Sequence, residues 1–286
     1  MFVVAGVTGH TGAVVASTLL ERGHEVRVVV RAAEKGAAFA PRGAEVVVAS
    51  LEDEAAMTRA FAGAYGAYLL SPPAMTSPDM IAERRLMLDA LARAAKAAKL
   101  PHVVLLSSIG AQHAAGTGPI KVLHYAEQVL GAAAALTAVR GGYFLENWAG
   151  VLPMAGKDGV LPSFIPATTP VPTVATPDIG RVAAEALLAG ARGRRVIELA
   201  GATDPTPNAV ADAASRIFGR TVKVLEAPLA AVVPTFTSLG VSEAMARLIQ
   251  EMYAGIIDGT VAWERGDAEF VRGGIGVEEG LRALAV

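Results

Sequence analysis

Short apolar runs rich in β-branched residues alternate with longer amphipathic stretches through the first half of the chain. Each continuous apolar run predicts a strand buried on both faces, and each amphipathic stretch predicts a helix. The alternation of the two favours an α/β fold, a doubly wound parallel sheet covered by helices on both faces. The predicted strands are 2–5, 25–30, 44–48, 67–70, 102–106 and 136–139, and the predicted helices include 13–20, 78–98 and 120–133.

The pattern changes after Gly150, where six prolines between positions 153 and 177 predict loops with short strands. We therefore expect residues 1–150 to form one Rossmann-like domain. We expect residues 151–286 to form a smaller α+β part that binds substrate, with some chain returning to the first domain's core. Its predicted elements are a helix at 179–188 capped by Asp178, a strand at 195–199, a helix opened by Thr206 and Pro207, a last strand at 221–224, and helical structure over 229–257.

Three glycines with the spacing G-x-x-G-x-x-G follow the first predicted strand, at Gly6, Gly9 and Gly12. Because a helix begins there, free backbone N–H groups and the positive end of the helix dipole face one spot, which suits an anion. Gly6 allows a sharp exit from the strand, Gly9 lets the backbone approach a pyrophosphate, and Gly12 lets the helix pack on the sheet. A tight turn without a ligand is the alternative. We expect a dinucleotide cofactor bound by Gly6, Thr8, Gly9, His10, Thr11 and Gly12.

The residue that ends the second strand of such a fold faces the adenine ribose, and its charge distinguishes the two nicotinamide cofactors. An acidic residue there binds the 2′-hydroxyl of NAD, whereas an arginine accommodates the 2′-phosphate of NADP. Arg31 holds this place, and Lys35 follows one helical turn later. Glu34 lies close by, and a solvated surface arginine is the alternative interpretation. We expect NADP(H) to be preferred over NAD(H).

Charge and composition exclude several classes of function. A formal net charge of −2 gives no positive field for nucleic acid or an anionic membrane surface. The chain has no cysteine, and its five histidines show no ligand spacing, so we expect neither disulfides nor a metal site. No apolar run has the ~18 residues of a membrane span. With the first strand beginning at Phe2, we expect a cytoplasmic protein, a monomer or homodimer, acting on a small molecule.

Five segments, in order along the chain, resemble the NmrA-like family of atypical short-chain dehydrogenases/reductases. They are Val4 to Gly12, Leu70 to Pro73, Leu106 to Gly110, Arg140 to Asn147 and Thr176 to Gly180. The resemblance implies a Rossmann-like domain that binds NAD(P)(H) and a small C-terminal substrate domain. Members include quinone oxidoreductases, aromatic ether and imine reductases, and regulators that bind the cofactor without turning it over.

Polar and aromatic residues follow the central strands at the edge where open α/β sheets bind ligands. We expect Tyr143 and the strand-end residues to contact the cofactor, although serines at strand ends also serve as turn caps. The strand-end residues are Ser71, Pro72, Ser107 and Ser108. We expect Phe144, Asn147 and Trp148 to face the substrate. Residues Phe236, Met245, Met252, Tyr253 and Trp263 fit either an apolar substrate pocket or ordinary core.

The Tyr and Lys pair that most short-chain dehydrogenases use for proton transfer is missing, because Val129 stands four residues after Tyr125. Some NmrA-like reductases carry a Lys near the start of this helix, where the present chain has Leu123. The remaining candidates for acid–base work are Lys121, His124 and Tyr125, each of which could equally be a packed or solvent-facing side chain. Hydride transfer to a quinone or conjugated imine needs little help from protein groups.

Two hypotheses of different class follow. The first is an NADPH-dependent oxidoreductase that transfers hydride to a small, largely apolar acceptor such as a quinone, enone or imine. The second is a non-catalytic regulator of the NmrA type that senses NADP(H). The missing Tyr–Lys pair favours the regulator, and the lack of a basic patch or DNA-binding helix pair favours the enzyme. A nucleotide-sugar epimerase would normally need the missing pair.

Overall fold

The computed structural model of the chain describes residues 1–264 and 266–285. Continuous apolar sequence produces buried extended segments, as the pattern predicts. In the described ranges the strands are β1 (Phe2–Ala5), β2 (Val26–Val30), β3 (Glu45–Val48), β4 (Gly66–Leu69), β5 (His102–Ser108), β6 (Ala135–Gly141), β7 (Tyr143–Phe144), β8 (Val160–Ser163), β9 (Thr173–Val174), β10 (Arg194–Ala200), β11 (Lys223–Glu226) and β12 (Glu269–Arg272).

Helices connect most of these strands, and several begin at a side-chain cap such as Asp53, Asp79 or Thr206. None of the helices in the described ranges is long and apolar enough to cross a bilayer. The helices are α1 (His10–Glu21), α2 (Glu54–Phe61), α3 (Met80–Ala97), α4 (Lys121–Gly131), α5 (Leu152–Asp158), α6 (Thr176–Leu188), α7 (Pro207–Phe218), α8 (Val232–Ser238), α9 (Glu243–Asp258) and α10 (Val277–Leu284).

Eight strands form one sheet in the order β12-β10-β6-β5-β4-β1-β2-β3, and every neighbouring pair is parallel. From β1 the chain winds outward through β2 and β3, and then returns to β4 and winds outward on the other side. The predicted doubly wound α/β fold is therefore confirmed. The winding direction reverses between β1 and β4, and this reversal opens a crevice at the carboxyl ends of those strands.

The sheet is buried on both faces. Helices α2, α3 and α4 cover one face, and α1 and α6 cover the other. The contact between α1 and α6 is close, because a Cβ on Gly180 would lie 2.5 Å from the Cβ of Val14. This covering explains why the central strands are continuously apolar rather than alternating.

The second half of the chain contributes to two regions. Strands β10 and β12 extend the main sheet, and α6 covers it. Helices α5, α7 and α10 pack with the pair β8–β11 around a separate small cluster that contains Leu152, Leu161 and Val210. The second half of the chain therefore completes the main sheet and also forms the smaller region.

The structure corrects several local predictions. Asp178 is not the N-cap, because α6 begins at Thr176 with Ala175 before it. The Asp178 carboxylate instead accepts the backbone N–H of Ile275 at 3.0 Å and pairs with Arg181. It therefore ties the segment after β12 to the start of α6.

Three further elements differ from the predicted pattern. Residues 152–158 form a helix instead of a loop, since Pro153 lies in the first turn, where a missing N–H costs nothing. The last strand of the sheet is β12, a short edge strand of mixed polarity, and not the predicted strand near residues 221–224. The predicted helical stretch 229–257 is divided at Gly240, whose φ is +85°.

Candidate cofactor and substrate site

The glycine loop after β1 is a tight turn in which each glycine meets a different demand. Gly6 has a φ of +69°, and a Cβ there would lie 2.4 Å from Cδ2 of Leu70 at the end of β4. A Cβ on Gly12 would lie 2.4 Å from the carbonyl oxygen of Gly6. Gly9 is exposed, and a Cβ there would meet only that same oxygen, at 3.4 Å. Gly6 and Gly12 are therefore packed against neighbouring atoms, whereas Gly9 leaves space at the exposed side of the loop.

The N-terminus of α1 has no side-chain cap and no acidic residue in its first turn. The first backbone N–H groups of the helix therefore lack an intrahelical partner and can receive an anion. Thr8, Gly9 and His10 are exposed on this side. Thr11 is different, because its buried hydroxyl accepts a hydrogen bond from Tyr68 at 2.9 Å. The Thr11 side chain therefore links the loop to β4 of the sheet.

Two cations lie beyond the carboxyl end of β2. Arg31 and Lys35 are both exposed, and neither forms an ion pair with another residue in the described part of the chain. Nearby Arg42 is already engaged, since it bonds Glu21 at 3.0 Å and the Ser17 hydroxyl at 2.7 Å. Arg31 and Lys35 are thus the cations available at this end of the crevice.

A cavity of about 390 Å³ lies at the carboxyl ends of β4, β5 and β6. Its walls are residues 71–73 after β4, 108–109 after β5, the start of α4 around Leu123, residues 142–144, and one face of α9. The polar side chains in the lining belong to Ser71, Ser108, Tyr143 and Asn147. No carboxylate, ammonium, imidazole or guanidinium group is among the described residues that line it. The cavity suits a largely apolar, uncharged guest.

Tyr143 is the titratable side chain of this lining. Burial raises the pKa of its phenol well above the ordinary value, with the phenol of Tyr253 alongside adding to the rise. The Asn147 amide acts in the opposite direction, since its interaction favours the phenolate. At neutral pH, Tyr143 is therefore a protonated phenol, able to donate a hydrogen bond toward a guest.

The structure brings six of the sequence-predicted site residues together in this cavity. They are Ser71, Pro72, Ser108, Tyr143, Phe144 and Asn147. Two others lie outside it. The Ser107 hydroxyl donates to the Glu127 carboxylate at 2.6 Å inside the core. Trp148 is buried beside Leu145 and Leu152, with its ring edge-on to Tyr143 at 6.3 Å, so it supports the wall from behind.

None of the three acid–base candidates lies in the cavity lining. Lys121 reaches across to α9 and pairs with Glu251 at 2.9 Å. The Tyr125 hydroxyl donates to Asp89 of α3 at 2.6 Å. His124 contacts the Ala111 carbonyl oxygen at 2.9 Å and faces a separate, open crevice. The residues of α4 that line the cavity are Val122 and Leu123, so the structure does not bring the three candidates into it.

Sequence reasoning did not find a buried ion-pair network that borders the separate crevice beside His124. Arg140 of β6 is 2% exposed and bonds both carboxylate oxygens of Glu127 at 2.8 Å. Glu198 of β10 lies 4.0 Å away and Glu264 also contacts the guanidinium. The position of Glu127 on the buried face of α4 is the sequence pattern that could have indicated such a partner.

Comparisons with known proteins identify relatives over most of the chain. A curated relative, an NAD(P)H azoreductase from Xenophilus azovorans, is 26% identical over 259 residues, which cover 89% of this chain and 86% of that protein. An NADPH-dependent quinone oxidoreductase from Escherichia coli, solved with NADPH, shares 24% identity at a TM-score of 0.79 over 91% of this chain and 90% of that one.

A triphenylmethane reductase from Citrobacter sp., solved with NADP(H), shares 19% identity at a TM-score of 0.81 and covers all of both chains. These two solved structures share the fold of the present chain. The model of the NmrA-like family matches residues 1–265. The chain therefore belongs to the NmrA-like family.

Proposed function

We propose that this protein is an NADPH-dependent reductase of flat, largely apolar conjugated acceptors. The observation that carries the proposal is the cavity of about 390 Å³, which has no charged side chain among its described lining residues. Its lining includes Ser71, next to the Leu70 side chain that packs on Gly6. The names of the azoreductase and quinone oxidoreductase relatives support the coarser statement, an NAD(P)H-dependent reductase.

The residues at the crevice fit a nicotinamide dinucleotide. The open space above Gly9 and the uncapped start of α1 would receive the pyrophosphate. Ser71, Pro72 and Ser108 border the cavity where the nicotinamide end would lie. When bound, the reduced cofactor supplies hydride.

The preference for NADPH over NADH is the finer part of the cofactor proposal. Arg31 and Lys35 are placed to hold the 2′-phosphate, because both are exposed beyond β2 and neither is engaged by an acidic partner among the described residues. Both solved relatives contain NADPH or NADP(H), which supports the same preference.

The cavity residues act on the acceptor by binding, orientation and exclusion of water. The apolar walls, including Phe144 and Leu123, stack against a flat guest and remove its water. Tyr143 donates a hydrogen bond to an oxygen or nitrogen of the guest while keeping its own proton. Since Lys121, His124 and Tyr125 face elsewhere, solvent supplies the proton that completes reduction. This requirement favours acceptors whose reduced form takes a proton easily from water, such as quinones, azo compounds and conjugated imines.

The deciding experiment is a screen of the purified protein with NADPH and a panel of quinones, enones, imines and azo dyes, followed at the nicotinamide absorbance band. We expect oxidation of NADPH with at least one flat conjugated acceptor and slower reaction with NADH. Tight NADPH binding without turnover on any acceptor would contradict the proposal. The regulatory alternative has no specific support in the cavity, and the relatives named above are reductases.

A further inference from the structure

The lining of the acceptor cavity combines stiff and adaptable side chains. Four prolines line it, Pro72, Pro73, Pro119 and Pro172, and their ring side chains have almost no freedom to move. Three methionines, Met80, Met245 and Met252, also line it. A methionine has three rotatable side-chain bonds and a polarisable sulfur, so it adapts to guests of different outline.

The methionines reach the cavity from two separate helices, and Met80 and Met245 also pack in the core beneath it. Met80 is the first residue of α3, whose start is fixed by the Asp79 cap to the Ala82 N–H at 3.0 Å. Met245 and Met252 lie seven residues apart on α9 and therefore share one face, two turns from each other. The chain has eight methionines, so three of the eight line this single cavity.

The backbone that carries these methionines is tied down. Ser242, the cap of α9, accepts the Met245 N–H at 3.1 Å, and its hydroxyl donates to the Ser77 carbonyl oxygen at 2.6 Å. The start of α9 is thereby held to the loop that leads into α3. A Cβ on Gly118 would lie 2.1 Å from the Leu248 carbonyl oxygen, so the loop before α4 also packs directly on α9. The helices are held in place, and adaptation to a guest falls to the side chains.

We propose that Met80, Met245 and Met252 form an adaptable wall that sets which aromatic acceptors the cavity admits, and that this wall lets one site take acceptors of one to three fused rings. Aromatic guests are favoured because thioether sulfur makes attractive contacts with ring edges. The inference rests on the proposed function, because it concerns the acceptor cavity of the same reductase.

The test replaces each methionine, singly and together, by leucine, which nearly conserves volume but is branched and lacks the sulfur. We expect the triple variant Met80→Leu, Met245→Leu, Met252→Leu to lose about tenfold in kcat/KM for a three-ring quinone while a one-ring benzoquinone changes by less than about twofold. An unchanged ratio of the two kcat/KM values would overturn the proposal.

Two controls separate the wall from general effects of the substitution. Met57→Leu and Met87→Leu alter methionines that are 0% and 1% exposed in the core and are not part of the lining, so the ratio should stay at its wild-type value. A shift of the ratio in these variants as large as in the triple variant would also overturn the proposal. NADPH affinity, measured by calorimetry, should be the same in all variants.

Failure of the proposed function gives a different pattern of results. If the wild-type protein oxidises no NADPH with any acceptor, the same ring series is titrated as ligands in the presence of NADP⁺, with the rise in Tm as the readout. Stabilisation by all ring sizes in the wild type, and by the one-ring compound alone in the triple variant, supports the adaptable wall without turnover. Equal stabilisation profiles of the two proteins contradict it.

Discussion

A Cβ at Gly12 would lie 2.4 Å from the carbonyl oxygen of Gly6, whereas a Cβ at Gly9 would keep 3.4 Å from the same oxygen. The first distance is a severe overlap with backbone, and the second needs at most a small adjustment. Gly9 also has a φ of −103°, which any residue can adopt. Gly12 is therefore required by the fold of the loop, and Gly9 is free to serve a ligand above it.

This difference predicts separate effects of two alanine substitutions. Gly9→Ala should keep the free energy of unfolding within about 1 kcal/mol, while NADPH affinity falls about tenfold or more because the methyl group displaces the pyrophosphate from the backbone N–H groups. Gly12→Ala should lower the free energy of unfolding itself by about 1–3 kcal/mol. Calorimetric titration and urea unfolding measure the two quantities. Unchanged NADPH affinity in Gly9→Ala would remove the basis of the cofactor assignment.

Arg31 provides the test of cofactor preference. We expect Arg31→Ala to weaken NADPH binding about tenfold, since a charge-assisted bond to the 2′-phosphate is lost, and to leave NADH binding nearly unchanged. Arg42→Ala is the matched control, because that arginine is nearby but already paired with Glu21. It should leave the ratio of the NADPH and NADH dissociation constants at the wild-type value. Equal wild-type affinities for NADPH and NADH would contradict the preference.

The sheet and the glycine loop could be predicted from sequence because their causes are local. The core of β5, residues 103–106, is a continuous apolar run, and the spacing of Gly6, Gly9 and Gly12 between strand and helix is visible without any tertiary information. Edge strand β12 could not be found in this way, since it has one pairing partner and a mixed sequence with Phe270 half exposed.

The cavity was predictable only in the part that lies directly after strands. Ser71 follows β4 and Ser108 ends β5, so topology alone places them at one edge of the sheet. Val171 and Ile256 enter the cavity from distant segments, and no spacing along the chain indicates that approach. The spacing of Met245 and Met252 fits a pocket and ordinary core equally, so it did not decide between them. For the same reason, the sequence does not indicate which residues of α4 line this cavity. Lys121 and Tyr125 share a side of the helix, but only tertiary packing decides that Leu123 is the residue facing the cavity.

The positions of Lys121 and Tyr125 predict that neither takes part in the reaction. Lys121→Met removes an ion pair with Glu251, and Tyr125→Phe removes a hydrogen bond to Asp89, so each should lower the free energy of unfolding by about 1 kcal/mol. We expect kcat/KM for the best acceptor to stay within about twofold of wild type in both variants. A hundredfold loss of kcat with unchanged stability in either one would show that the catalytic arrangement differs from the one described.

The buried pair of Arg140 and Glu127 predicts a large effect on stability. Arg140→Met leaves the buried Glu198 without this cation and leaves the buried Glu127 with only Arg194, at 3.4 Å, so the free energy of unfolding should fall by about 3–5 kcal/mol. Arg247→Met, which breaks an exposed pair with Glu243 on α9, should cost less than about 1 kcal/mol. Urea unfolding compares the two variants. Similar small losses in both would mean that the buried carboxylates are readily neutralised by protonation.

Tyr143 predicts how the reaction depends on pH. Burial raises the pKa of its phenol well above 10.0, so the group stays protonated until the solution is more alkaline than that value. Because no other titratable side chain is among the described lining residues, kcat/KM should be flat between about pH 6 and 9. Tyr143→Phe should lower kcat/KM about tenfold through loss of one hydrogen bond to the guest, and leave the profile flat. Tyr65→Phe, at a tyrosine that is 67% exposed, should change neither quantity. The opposite result would be a rise or fall of the wild-type kcat/KM with a midpoint inside that pH range that disappears in Tyr143→Phe. It would identify Tyr143 as a group that gives up its proton during turnover.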